Sequence, residues 1–456
     1  MLEPVEAERF PARRQSRAKR AILRRMRRLV IALVVLGAAV AVGAGAYSSY
    51  TSDREYARRI AAGDQALASG EPAQALEDYS GAITLRPTSM LAHLKRGRTY
   101  RERGELEFAA RDLRRAVALD PTATLPLELL GDTYLSLARY DRAIERFEGY
   151  LALDDSSAAV WYKLGLAFYR GGHAARAALP LERAISLEPA LAEAHLLLGL
   201  CFRDAGEWKR ARPVLERAIR LAPGLTTPRE ALADVYTALG ETARAIDQLE
   251  ALAALDPGSP DRFVALGIAH ARARRHEAAV LTLSRAVERF PDEPNVYGQL
   301  GRVWLDAADL RQDEISLKKA LEALATAAGQ PGVTSATLTD LGRAWMRAGD
   351  REAAARALRD ATARSPIDPD SYRLLALVVG RDRALEARNA LLRYAALVGD
   401  GRPLASVAAD IASYSLRLGE PHLALTWIDR AADESGDTPA LASLRRRARE
   451  GLAAQQ

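Results

Sequence analysis

Small residues recur along this chain at a constant interval, and apolar residues flank them at helical spacing. In one stretch, Trp161, Leu164, Gly165 and Phe168 stand at i, i+3, i+4 and i+7. This spacing places the four residues on one face of a predicted helix. The glycine belongs to a column of small residues that are 34 residues apart, with a last step of 41: Gly63, Gly97, Gly131, Gly165, Gly199, Ala233, Gly267, Gly301 and Gly342.

A second helix is predicted in each copy of the pattern. In the fourth copy it contains Ala177, Leu181 and Ala184, and the two alanines leave room for close packing against the first helix. Gly172 lies between the helices and suits a turn with positive φ. Pro189 ends the second helix, because proline lacks an amide hydrogen and clashes with the preceding turn. One hairpin cannot bury its apolar face alone, so the sequence predicts a stacked array with a continuous core.

The strict interval is lost after the eighth copy begins. Copies one to eight form a regular block at residues 56–332, and residues 335–456 form an irregular block that ends in a capping helix. The eighth copy is longer than the others, and its extra residues fall near 308–318. There they lengthen a loop or the helices, and we expect a bend close to this point.

The tenth copy departs most from the pattern. Arg388 stands where an alanine is expected, and glycines at 399–403 predict a further break in the chain.

The fourth copy reads W-x2-L-G-x2-F, then A-x3-L, A and P, and this order resembles the tetratricopeptide repeat. The second and fifth copies fit the same pattern, with Leu113 and Leu215 at the position of Leu181. The resemblance implies an all-α fold, a superhelical solenoid of about eleven helix-turn-helix repeats. It also implies that the first helix of each pair lines a concave face, where protein or peptide partners bind.

An uncharged segment at residues 29–50 follows a basic leader at residues 1–28. Its most apolar part, Leu29–Ala46, spans about 27 Å as a helix, close to a hydrocarbon core of about 30 Å. We therefore expect a single transmembrane helix before the solenoid. The basic leader predicts a cytoplasmic N-terminus, with the repeats on the extracytoplasmic side of the inner membrane. Cleavage near Ala46 is the alternative, because Ala44-Gly45-Ala46 resembles a signal-peptide site. A short polar joint is expected at 51–55.

The net charge of +6 does not indicate a nucleic-acid partner. The leader holds ten basic and three acidic residues, whereas the remaining 428 residues hold 55 basic and 56 acidic ones. The repeats are therefore balanced in charge, and phosphate backbones require a basic surface.

The sequence contains no motif for catalysis, metal binding or a cofactor, and no small-molecule substrate is expected. Cys201 is the one cysteine and lies within a predicted helix. His93, His195 and His270 occupy columns that face neighbouring helices, so we expect them to be packed rather than to bind a metal. The protein is predicted not to be an enzyme.

The resemblance implies that residues beside the packing stripe form the partner-binding concave face. In the fourth and fifth copies these residues are Tyr162, Leu166, Tyr169, Arg170, Leu196, Leu200 and Arg203. The alternative is that they pack between neighbouring helices, in which case Tyr162 and Tyr169 are wholly buried. The lysine and asparagine clamp by which some family members hold a carboxylate is replaced here, because Glu128 and Asp132 occupy two of its positions.

The sequence as a whole predicts a membrane-anchored scaffold that binds proteins through its repeats. Similar bacterial proteins serve envelope assembly, secretion or polysaccharide export, and this analogy with the fold is the basis for expecting the same here. Two alternatives stay open. One is an adaptor that faces the cytoplasm and tethers an enzyme to the membrane. The other is a soluble secreted or periplasmic protein released by cleavage near Ala46.

Overall fold

The computed structural model describes residues 12–399 and 404–455, and all regular structure in these two ranges is helical. A short 3-10 helix at Gly380–Arg383 accompanies the α-helices. Their bounds are α1 Ala12–Ala68, α2 Pro72–Leu85, α3 Met90–Glu102, α4 Leu106–Leu119, α5 Thr124–Ser136, α6 Tyr140–Leu151, α7 Ala158–Arg170, α8 Ala174–Leu187, α9 Ala192–Asp204, α10 Trp208–Leu221, α11 Thr227–Ala238, α12 Thr242–Leu255, α13 Pro260–Arg272, α14 His276–Arg289, α15 Pro294–Arg311, α16 Glu314–Ala328, α17 Ser335–Arg347, α18 Arg351–Thr362, α19 Pro369–Val379, α20 Ala384–Val398, α21 Ala405–Arg417, α22 Pro421–Ser435 and α23 Pro439–Ala453.

The chain divides into two compact units, which we call unit 1 (Met1–Cys201) and unit 2 (Phe202–Gln456). Within each unit, successive helices pack as antiparallel hairpins, as the repeat pattern predicts. We call the first helix of a hairpin the A helix and the second the B helix. In unit 1 the A helices are α1, α3, α5 and α7.

The small residues of the repeated column allow the two helices of a hairpin to touch. A Cβ atom at Gly165 would lie 2.6 Å from Cγ of Leu181, closer than packed carbon atoms come. Leu181 is completely buried, so it has no open space into which to retreat. The same is true of Gly131 in unit 1 and Gly342 in unit 2. A Cβ atom would lie 2.5 Å from Phe147 at the first position and 2.5 Å from Leu358 at the second. The predicted role of the column is therefore confirmed.

Ala233 is the exception in this column. Leu249, which holds the place of Leu181 in α12, is half-buried, whereas Leu283 and Leu324 are completely buried opposite their glycines.

Glycine occupies the tight A-to-B turns in most copies. Gly172 has a φ of +81°, as predicted, and Gly104 and Gly206 have similar values. Ala138 and Arg274 stand at the equivalent place in two other copies, with φ of 55° and 58°. Side chains with a Cβ atom rarely adopt this conformation, so these two turns are strained.

The extra residues of the eighth copy lengthen its first helix. α15 has 18 residues, whereas α13 has 13. Gln312 ends α15 with a left-handed conformation, and Asp313 then caps α16 by accepting a hydrogen bond from the Ser316 amide at 2.6 Å. The connection thus stays short.

The tenth copy keeps the packing alanine, and our expectation at Arg388 is wrong. Ala387 is completely buried and stands four residues before the buried Leu391, so it continues the A-x3-L pattern. The 3-10 helix before α20 shifts the register by one residue. Arg388 is buried beside Ala387, and its guanidinium pairs with Glu420 at 2.5 Å.

The polar joint expected at 51–55 is also wrong, because α1 runs without interruption from Ala12 to Ala68. Residues 47–62 include neither glycine nor proline, so nothing in the sequence ends the helix there. Residues 1–11 of the leader, and most of the break expected at 399–403, lie outside the described residues. The tail forms the expected last helix, α23, which buries Leu441 and Ala448.

Candidate functional site

The A helices of unit 1 lie side by side and are joined by ion pairs. Lys95 of α3 reaches Asp64 of α1 at 2.6 Å. Lys163 of α7 bridges Glu128 and Asp132 of α5 at 2.7 and 2.9 Å. Because successive helices within the unit are antiparallel, neighbouring A helices run in the same direction. We call the surface formed by α1, α3, α5 and α7 the A-helix layer.

These ion pairs also shift the pKa values of two of their members, Lys163 and Asp64, towards the charged form. Burial lowers the pKa of the Lys163 ammonium, but the hydrogen bonds to Asp132 and Glu128 outweigh it and raise the pKa. The pKa of Asp64 is lowered overall, because the hydrogen bonds from Lys95 and Tyr79 outweigh its partial burial. The two carboxylates at the altered clamp positions, Glu128 and Asp132, are therefore occupied by a lysine of the same layer.

The four predicted binding residues of α7 differ in exposure from the packing residues beside them. Leu164 and Phe168 are buried, whereas Tyr162, Leu166 and Tyr169 are half-buried and Arg170 is exposed. Neither tyrosine is wholly buried. Their role in binding a partner stays a prediction.

Tyr162 lies in a partly desolvated setting next to α9. Burial raises the pKa of its hydroxyl, Glu193 raises it further, and Arg170 opposes the shift. The tyrosine is therefore a neutral hydrogen-bonding group at any ordinary pH. Leu196 and Leu200 of α9 are half-buried, like the predicted residues of α7.

Arg203 belongs to unit 2 and is half-buried. Its guanidinium contacts Asp204 at 2.8 Å and lies 3.9 Å from Asp234. This arginine is thus held by carboxylates of its own unit, and its predicted part in partner binding is untested.

Two exposed leucines of the A-helix layer were not among the predicted binding residues. Leu91 is 42% exposed and Leu125 is 50% exposed, at the starts of α3 and α5. They are 34 residues apart and therefore occupy one repeat column. That column could have identified them, but only the structure shows that neighbouring helices leave both uncovered.

His93, His195 and His270 are buried, as expected. His93 is buried, with Nδ1 3.3 Å from Asp112 and Nε2 3.2 Å from the Pro87 carbonyl. Arg96 completes this cluster with two hydrogen bonds to the Asp112 carboxylate at 2.6 and 2.8 Å. His195 and His270 are also buried, and burial lowers the pKa of His270. Among the residues that the structure describes, no group of three or more histidine, cysteine or acidic side chains could hold a metal ion.

The N-terminal part of α1 has the length and composition of a membrane span. Among the described residues one helix segment, Leu33–Ala68, meets these two criteria. Its apolar part presents large side chains in all directions, because Leu33, Leu36, Val40 and Val42 are all highly exposed. This surface is the longest run of exposed apolar residues in the described part of the chain.

Models of the tetratricopeptide repeat match the chain in two groups. One matches residues 60–124, 129–192 and 173–226, and the other matches residues 202–266 and 236–303. Together they cover more than half of the chain. No curated protein matches it.

Several solved structures resemble parts of the chain. The MamA protein is 26% identical, with 37% of this chain and 92% of MamA covered and a TM-score of 0.36. YrrB, described as a TPR protein with an unusual peptide-binding site, is 21% identical, with 39% and 92% covered and a TM-score of 0.36. The C-terminal part of a TPR repeat-containing protein from Cytophaga hutchinsonii is 17% identical, with 52% and 98% covered and a TM-score of 0.47.

The repeated hairpins, the glycine contacts within them and the family matches all lead to one assignment. Arrays of this kind are scaffolds suited to protein–protein interaction and are typically not enzymes. The chain belongs to the tetratricopeptide repeat family.

Proposed function

We propose that this protein is a membrane-anchored scaffold that binds an extended segment of a partner protein on the A-helix layer of unit 1. The observation that carries the proposal is the partial exposure of Tyr162, Leu166 and Tyr169 beside the buried Leu164 and Phe168. Tyrosine and arginine are enriched among the residues that dominate binding energy. Arg170 stands next to the tyrosines and is exposed.

The ion pairs of the layer favour a partner that binds mainly through apolar contacts. Glu128 and Asp132 are already paired with Lys163, and Asp64 is paired with Lys95. A charged partner group would have to compete with these bonds. A tyrosine or leucine anchor of the partner would instead cover apolar surface that is now in water.

The partner-binding surface would include Leu196 and Leu200 of α9, which belong to unit 1. Arg203 belongs to unit 2, and its part in binding a partner is proposed for that unit by itself. A partner segment longer than one helix width would extend from α7 to the two leucines. We keep them as part of the proposal on the ground that Glu193 of α9 already influences Tyr162 of α7.

Membrane anchoring is the second part of the proposal, and the exposed apolar surface of α1 supports it. With the basic leader in the cytoplasm, the repeats would stand on the periplasmic or extracytoplasmic side of the inner membrane. Envelope assembly, secretion and polysaccharide export are the settings expected for such a protein. An adaptor facing the cytoplasm would have the reverse topology. A cleaved protein would be soluble, with an N-terminus near Tyr47.

Topology is tested with the full chain in bacterial membranes. Resistance to carbonate extraction, an intact leader by mass spectrometry and periplasmic activity of a C-terminal reporter are expected. A reporter active in the cytoplasm would identify the adaptor. Release of a shortened chain into the soluble fraction would identify the cleaved form.

Binding is tested by the change Leu166→Glu, which places a charge in the centre of the surface. The matched control is Leu179→Glu on the B helix α8, where the leucine is 74% exposed. We expect the first change to abolish recovery of the partner from solubilised membranes and the second to leave it unchanged. Equal recovery with both variants, when both show the wild-type melting temperature, would contradict the proposed surface.

A further inference from the structure

The membrane-spanning part of α1 continues directly into the first repeat. α1 ends at Ala68, so the same helix that carries the apolar segment also carries Gly63, which contacts Tyr79 of α2. A helix without a break transmits orientation, whereas a polar linker does not. The first hairpin is therefore fixed in angle relative to the apolar segment.

A cluster at the start of α3 holds this part of α1 in place. The guanidinium of Arg86 pairs with Asp53 and lies over the ring of Tyr56, 4.5 Å from its centroid. The Tyr56 hydroxyl is hydrogen-bonded to Ser89 at 2.6 Å. Ser89 in turn caps α3 by accepting a hydrogen bond from the Ala92 amide. The turn at 86–89 is thus attached to the segment of α1 that follows the apolar residues.

The parallel course of the A helices places their first residues at the end of the layer from which the apolar segment leaves. Asp53 with Arg86, Tyr56 with Ser89 and Asp64 with Lys95 are joined in the same order along α1 and α3. The turn at 86–89 therefore lies towards the apolar segment, and the turn after α3, at 103–105, lies away from it.

Helix geometry gives the heights of these two turns above a bilayer. Ten residues separate Ala46 from Tyr56, which corresponds to about 15 Å of helix. Headgroups extend about 5 to 7 Å beyond the hydrocarbon on each side. The turn at 86–89 thus lies within about 10 Å of the headgroups, and the turn at 103–105 is about 20 Å farther out.

We propose that the turn at 86–89 faces the lipid headgroups and that the A helices α1 and α3 stand along the bilayer normal. This inference rests on the membrane anchor proposed above. It also defines the partner more closely. Leu91 lies two residues beyond the turn at 86–89, and Leu125 holds the same place in α5. A partner segment that covers these two leucines would lie within about 20 Å of the hydrocarbon. The chain just outside the membrane span of another membrane protein lies at this height, and such a segment is the partner that we infer.

The test uses the full chain in liposomes of phosphatidylethanolamine and phosphatidylglycerol, with nitroxides on the lipid headgroups. A fluorophore is attached at Thr88→Cys or Arg103→Cys, two exposed positions at opposite ends of α3, in a Cys201→Ala background. Ser49→Cys, just after the apolar segment, reports insertion. We expect strong quenching at position 49, clear quenching at position 88 and several-fold less at position 103.

Each outcome separates the two proposals. Quenching at position 49 with equal quenching at 88 and 103 would overturn the fixed orientation and leave the anchor intact. No quenching at position 49, with the protein absent from the liposomes, would overturn the anchor and this inference together. Replacing Tyr56 and Arg86 by alanine should reduce the difference between positions 88 and 103. An unchanged difference in that variant would contradict the role assigned to the cluster.

Discussion

At the scale of single residues, the sequence predicts best the packing role of the column of small residues. Steric size is a property of the residue itself, so Gly165 and Pro189 act in the structure as their types dictate. Exposure depends on neighbours as well. The ion pairs of Lys163 are made with Glu128 and Asp132 of the preceding copy, and periodicity does not place these side chains.

Gly165→Ala should destabilise unit 1, because the new methyl group would lie 2.6 Å from Leu181. Overpacking of this kind costs about 1 to 3 kcal/mol. Gly149→Ala in α6 is the matched control, since the nearest atom there is 3.7 Å away. Alanine in that open helical position should raise the stability by about 0.5 to 1 kcal/mol. Thermal unfolding of both variants measures the contrast, and equal melting temperatures would contradict the packing described for Gly165.

Asp340 predicts a pH-dependent stability of unit 2. Burial raises the pKa of this carboxyl, and Arg302 and Arg343 only partly oppose the shift. The stability that depends on its neutral form is complete below the unfolded pKa of 3.8 and is lost as the pH rises through the folded pKa. Asp340→Asn should therefore be more stable than the wild type at pH 7, and the difference should vanish below the unfolded value.

Glu386→Gln is the control of opposite sign. Hydrogen bonds from Arg359 lower the pKa of Glu386, so its contribution is present above 4.5 and is lost as the pH falls through the folded pKa. This variant should be less stable than the wild type at pH 7. Urea unfolding at several pH values measures both differences. A less stable Asp340→Asn at pH 7 would mean that the arginine contacts outweigh the cost of burial.

At the scale of helices and turns, the sequence predicts the hairpins but not every boundary. The pattern shows that the eighth copy is longer, and the structure adds the residues to α15 because no breaker precedes Gln312. Polar residues at 51–55 suggested a joint, but polarity alone does not end a helix. The alanine of the tenth copy was misplaced by one residue, because a 3-10 helix precedes α20.

The turn between α5 and α6 offers a test at this scale. Ala138 has a φ of 55°, whereas the equivalent Gly104 and Gly172 adopt such values without strain. Ala138→Gly should raise the free energy of unfolding of unit 1 by up to about 1 kcal/mol, because it relieves this strain. The melting temperature should rise accordingly. Gly172→Ala places the strain in the next hairpin and should lower stability by a similar amount. A loss of stability in Ala138→Gly would show that the turn is not strained.

At the scale of the whole molecule, family and fold follow from the sequence because the repeat interval is visible without contacts. The division between units 1 and 2 within α9 is not visible, since the interval continues through it. The boundary expected near residues 332–335, and the bend near it, stay predictions. The candidate surface was predicted for Tyr162 and Tyr169 from their place beside the packing stripe. The end of the A-helix layer that we propose to face the membrane emerges only from the contacts of Arg86 and Tyr56.

The central claim is that the A-helix layer of unit 1 binds a protein partner at the membrane. Site-specific photo-crosslinking in cells tests it most directly, with the probe at Tyr169 and a control probe at Leu179 on the B helix α8. We predict one dominant protein adduct in the membrane fraction with the probe at Tyr169 and none with the control. A folded, membrane-bound protein that gives no adduct at Tyr169, or the same adduct at both positions, would contradict the account.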